Sequence, residues 1–78
     1  MKNLTGLSNV GFTIIAERKT TLNEKIVLGF RCNPDKYSNI AAEYVTWHAM
    51  VETEFVSYFY GHYENDFMKA TNDYFNRD

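Results

Sequence analysis

Apolar and polar positions alternate along residues 9–18, NVGFTIIAER. Val10, Phe12, Ile14 and Ala16 fall on one side of an extended chain, and Gly11, Thr13, Ile15 and Glu17 on the other. A period of two with β-branched residues predicts a strand with one buried face. The polar run KTTLNE at 19–24 interrupts the pattern, and KIVLGFRC at 25–32 resumes it, with Ile26, Leu28 and Phe30 alternating against Val27, Gly29 and Arg31. Two short strands joined by a short polar run predict an antiparallel hairpin.

Asn33-Pro34-Asp35 is a break, because Pro34 has no N–H for a ladder and Asn and Asp favour turns. The loop is expected to run to about Ile40. Residues 43–51, EYVTWHAMV, and 55–61, FVSYFYG, are dense in strand formers, with Glu52-Thr53-Glu54 as a tight connection between them. A helix over 43–60 competes, because Ala41, Ala42 and Glu43 are good helix formers. Strands are preferred, since Tyr, Val, Thr, Trp and Phe lose rotamer freedom on a helix and pack well on a pleat.

After that the period changes. Tyr63, Phe67, Ala70 and Tyr74 recur at i, i+4, i+7 and i+11, one stripe of a helix that Met68 and Phe75 widen. Asn65 is the expected N-cap, and Arg77 suits the negative end of the helix. The expected fold is α+β: a four-stranded, largely antiparallel meander with a C-terminal helix packed on one face.

Composition narrows the class without naming a chemistry. A chain of 78 residues is one domain, 1–78, with a thin core. Residues 1–8 carry only Leu4 and Leu7 as large apolar side chains and are expected to be loosely ordered. The single cysteine, Cys32, excludes an internal disulfide and a thiolate zinc site. No 18-residue apolar run predicts a membrane span and no signal-peptide pattern opens the chain, so a cytoplasmic protein without a membrane partner is expected. Charge is uneven: up to Lys36 there are six basic and three acidic residues, and from Tyr37 onward two basic and seven acidic. Eleven of the thirteen aromatic residues also lie after position 36. Such lopsidedness arises by chance in small domains; it also suits an acidic, aromatic contact surface.

On the third predicted strand Tyr44, Thr46, His48 and Met50 oppose Val45, Trp47, Ala49 and Val51, and on the fourth Val56, Tyr58 and Tyr60 oppose Phe55, Ser57 and Phe59. Both faces of this hairpin are apolar, and one helix covers one face. The surplus predicts a partner-binding surface of Tyr44, Trp47, His48, Tyr58 and Tyr60, most simply a twofold homodimer. The bland alternative is that Tyr37, Ile40 and the N-terminal segment fold over it. A second surface is the basic hairpin of residues 17–36, whose Arg18, Lys19, Lys25, Arg31 and Lys36 could meet nucleic-acid phosphates, although Glu17 and Glu24 sit in the same turn. An acidic nucleic-acid mimic is a weaker variant, because seven carboxylates are few.

His62, Glu64 and Asp66 alternate but form no metal-ligand spacing, so no metal or cofactor is expected. Cys32 closes a strand and suits packing better than nucleophilic catalysis. No P-loop, GxGxxG or GxSxG motif is present, and no enzymatic activity is expected.

Tyr44-Val45-Thr46-Trp47, then Gly61-His62-Tyr63 with Asp66-Phe67 and the late Arg77, resembles a pattern in small accessory proteins encoded by phages and mobile elements of Gram-positive bacteria, staphylococci among the candidates. The resemblance covers residues 25–77, though Glu52-Thr53-Glu54 is shorter than the turn of that pattern. It implies an accessory protein acting in a bacterial host cytoplasm and carries no catalytic residue. The expected function is therefore non-enzymatic binding of a host or phage protein, with nucleic-acid binding through the basic hairpin as the alternative.

Overall fold

The computed structural model describes residues 3–32 and 41–77. The predicted 33–40 loop, with Pro34, Lys36, Tyr37 and Ile40, lies outside the described residues. The fold is α+β: five antiparallel strands paired in chain order, a meander curled into half a barrel, followed by one helix. The strands are β1 (Ser8–Asn9), β2 (Phe12–Lys19), β3 (Glu24–Cys32), β4 (Ala42–Val51) and β5 (Val56–Glu64), and the helix is α1 (Phe67–Asn76).

The four predicted strands become five because the first one folds back on itself. Asn9 pairs with Phe12 across a two-residue loop, Val10-Gly11, whose φ angles of 43° and 85° are both positive. That is the backbone of a type I′ hairpin turn, with a β-branched residue where Asn is usual. Val10 is therefore 69% exposed at a turn instead of facing inward with Phe12. The described part of the N-terminal segment, from residue 3, makes specific contacts with the sheet. Leu4 is fully buried, and the N–H groups of Leu4 and Thr5 both donate to the Glu17 carboxylate. Gly6 N–H donates to the Ile14 carbonyl and Ile14 N–H to the Leu7 carbonyl, each at 2.8 Å.

A bulge at Ile15 corrects a second expectation. Ile14 pairs with Gly29 but Ala16 pairs with Leu28, so one extra residue moves the rest of β2 to the opposite phase. Phe12 and Ile14 stay on one face with Val27, Val45, Trp47, Ala49 and Val51, where Leu4 completes the cluster. Ala16 passes to the other face and packs with Ile26, Leu28, Ala70 and Tyr74. Both sheet faces thus carry core, one closed by the N-terminal segment and the other by α1.

Residues 43–60 are strand and turn, not helix. Tyr63 belongs to β5, and α1 starts at Phe67 with Asp66 as N-cap, its side chain accepting from Met68 N–H at 2.8 Å, in place of Asn65. Of the predicted helical stripe, Ala70 and Tyr74 are buried, Phe67 is 48% exposed, and Met68 and Phe75 are exposed.

Candidate functional site

The five aromatic residues expected to form one surface occupy three places. Trp47 is buried in the core of the face closed by Leu4, edge-on to Phe12 at 5.8 Å, with Tyr58 at 5.4 Å and Tyr63 at 6.3 Å. Tyr44 lies on the helix-bearing face between Phe30 and Phe67, ring centroids 5.7 and 5.3 Å away, beneath the start of α1. His48 lies on that same face farther along β4, stacked on Phe59 at 5.8 Å and met edge-on by Tyr60 at 5.8 Å.

Tyr60 changes sides because β5 is bulged. Thr46 pairs with His62 and His48 with Phe59, which leaves Tyr60 and Gly61 together opposite Trp47. Tyr60 is in the left-handed region at φ 57° and is 71% exposed, with its ring against Phe59 and His48 instead of beside Tyr58. Gly61 takes the inward position, where a Cβ would stand 2.8 Å from Trp47 Nε1.

The bulge is clamped from the helix. Arg77, the C-cap of α1, runs its side chain back under the sheet, with only 9% of it exposed. Its Nη1 donates to the Thr46 carbonyl at 2.9 Å and hydroxyl at 2.8 Å, and its Nη2 to the Tyr60 carbonyl at 2.6 Å. Asp73 accepts from the Thr46 hydroxyl and lies 3.0 Å from His62 Nδ1. Burial pushes the Asp73 carboxyl up, but these hydrogen bonds and the His62 and Arg77 charges outweigh it and hold the carboxyl below its ordinary range. Burial, reinforced by the Arg77 charge, holds His48 below the usual histidine value.

Three of the described cations of the basic hairpin, Arg18, Lys25 and Arg31, meet the chain's own groups. Arg18 donates through Nε to the Tyr74 carbonyl at 2.9 Å and through Nη2 to the Arg77 carbonyl, capping the end of α1. Lys25 is buried against Glu17. Arg31 pairs with Glu43 at 2.6 Å and lies over the Phe12 ring at 4.5 Å. Lys19 is exposed, and Lys36 is outside the described residues. A phosphate-binding surface needs free cations, and three of the four described ones, Arg18, Lys25 and Arg31, are engaged by the chain's own groups.

His62 is engaged with Asp73, and among the described residues no group of three His, Cys, Asp or Glu could hold a metal ion. Cys32 is exposed at the end of β3 beside Ala42, six residues along β4 from His48, or about 20 Å. No helix among the described residues is long and apolar enough to cross a membrane.

Sequence reasoning missed Phe59 as a surface aromatic and Arg77 as a buried clamp. Only the bulge makes Phe59 and Tyr60 neighbours on one side, and no strand-forming pattern signals a bulge at a tyrosine. No protein-family model, curated protein or solved structure matches the chain.

Proposed function

We propose that this is a non-enzymatic binding protein that engages a protein partner through the aromatic patch of His48, Phe59 and Tyr60, in the accessory role that the phage and mobile-element resemblance implies. The observation that carries the reading is Tyr60. A non-glycine residue in the left-handed region costs on the order of 1 kcal/mol, and here that strain turns a large amphipathic ring to solvent. Asparagine or glycine would satisfy the same bulge without strain. Exposed tyrosine beside other aromatics is the composition of protein-contact surfaces. The basic hairpin has less support, because three of its four described cations, Arg18, Lys25 and Arg31, are engaged by groups of the fold.

The test is Tyr60→Asn. Asparagine tolerates the left-handed region, so thermal stability should stay within about 1 kcal/mol of the parent. Affinity capture from a Gram-positive host lysate should lose the protein retained by the parent chain. Retention by Tyr60→Asn and loss by Lys19→Glu, with a salt-dependent gel shift, would instead establish the nucleic-acid reading.

A further inference from the structure

α1 covers only part of its sheet face. The helix ends where Arg77 meets Thr46 and Tyr60, while β4 and β5 continue to Val51 and back from Val56. On the helix side this leaves His48 and Met50 on β4 and Ser57 and Phe59 on β5, paired His48–Phe59 and Met50–Ser57. The strip runs from Tyr60 to the β4–β5 turn, where Phe55 is 60% exposed. The β2–β3 loop lies alongside the turn, since Val51 N–H donates to the Asn23 carbonyl at 2.8 Å, and it carries Leu22, 75% exposed.

Charge grades along this strip. At the Tyr60 end the His48 ring is stacked on Phe59 and met edge-on by Tyr60, and Arg18 and Arg77 are engaged with carbonyls, Thr46 and Asp73. At the turn end Glu24 stands beside Met50 in register, and Glu52 and Glu54 are exposed in the turn itself. The ion pairs seen among the described residues use Glu17, Glu43 and Asp73, and none involves Glu52 or Glu54. We infer that this uncovered strip docks a cationic segment of a partner protein, with a large apolar side chain seated on Phe59 and Tyr60 and Lys or Arg beside Glu52 and Glu54. The inference rests on the partner-binding reading and adds the chemistry of the partner. Nucleic acid would bring phosphates against carboxylates. A second copy would offer the turn its own carboxylates or the engaged guanidinium groups of Arg18, Arg31 and Arg77, with Lys19 and Lys69 as its exposed cations among the described residues. A cationic polypeptide complements the turn end with its charge and the Tyr60 end with its apolar side chain.

Selection of a random dodecapeptide display library on the purified protein tests this, followed by titration of the enriched peptides. The expected peptides combine Lys or Arg with an aromatic or large aliphatic residue, and they shift the amide resonances of Met50, Ser57, Phe59 and Tyr60. Phe59→Ser should weaken them about tenfold or more. The double variant Glu52→Gln, Glu54→Gln should weaken them about fivefold and flatten the salt dependence. Peptides without basic residues that still map to the strip would overturn the charge assignment and leave the partner-binding reading standing. Peptides that map elsewhere, or no enrichment over an unrelated domain, would sink both. Sedimentation at high micromolar concentration should show a monomer; a dimer dissolved by Tyr60→Asn would make the occupant a second copy and overturn the proposal.

Discussion

Gly61 and Tyr60 divide a task that glycine alone performs in most bulges of this kind. The residue with positive φ is the tyrosine, whereas the glycine has a steric reason to be there: Trp47 fills the space its Cβ would need, with Tyr63 and Trp47 atoms at 2.8–3.1 Å from that position. Gly61→Ala should therefore cost about 1–3 kcal/mol, because Trp47 is hemmed in by Phe12 and Tyr58 and has no free direction to move. Urea unfolding measures it, and a loss under about 0.5 kcal/mol would show that the indole can shift. The sequence pattern places Trp47 in a partner-binding surface, whereas the structure buries it. The alternation of β4 does separate Trp47 from His48, so their two faces were legible. What was not legible is that a residue four places past Val56 breaks the alternation of β5, because a bulge follows from packing across the strand pair and not from local preference.

At the scale of elements, α1 is held more by polar contacts at its C-terminal end than by its apolar stripe. Ten residues do not make a stable helix alone, and only Ala70 and Tyr74 are buried. The rest of the attachment is Arg18 on the last carbonyls and the Arg77–Thr46–Asp73–His62 cluster. The sequence stripe puts Phe67 at the centre of docking, which on full burial would make Phe67→Ala cost about 3–5 kcal/mol. With half its surface in water and contact to Tyr44 alone among the described rings, the expected loss is about 1 kcal/mol. Arg77→Met should cost more, about 2–4 kcal/mol, since it strips the Thr46 and Tyr60 carbonyls of their donor. If equilibrium unfolding ranks the two in the opposite order, the stripe and not the clamp holds the helix. The stripe misleads because Tyr63 fits its spacing by coincidence, while Gly61 and Tyr63 follow the period-two pattern of β5. Arg77 was legible as a helix-end cation, but its reach of 31 residues back to Thr46 was not.

For the molecule as a whole, the thin core that 78 residues permit is divided between two faces, and the N-terminal segment closes one of them. Glu17 is its fastening, accepting from Leu4, Thr5 and Lys25. Burial pushes this carboxyl up, yet the hydrogen bonds prevail and bring it from 4.5 down to about 2. A carboxyl lowered in the folded state stabilises above its unfolded pKa, and that contribution is lost as pH falls through the folded value. Stability should therefore decline between about pH 4.5 and pH 2, by about 2 kcal/mol from Glu17, with Asp73 acting in the same direction. Urea midpoints across that range measure the loss, and Glu17→Gln should flatten the slope; an unchanged slope would show that other carboxyls carry it. Two leucines in eight residues are a weak burial signal, and the carboxylate on β2 that Leu4 N–H meets lies 13 residues away, so this contact was not legible in the sequence.

The contact between Arg18 and the end of α1 also has a kinetic meaning. Every strand pairs with its chain neighbour, so the sheet can form by short steps, one hairpin after another. The bonds from Arg18 to Tyr74 and Arg77 instead close loops of 56 and 59 residues. Loop closure of that length is a late event whose entropy is recovered only when the helix seats. Arg18→Met should therefore speed unfolding and leave the folding rate nearly unchanged, as the two arms of a urea chevron would measure. The residue that resembles a phosphate ligand in the sequence is, in the folded chain, a brake on unfolding.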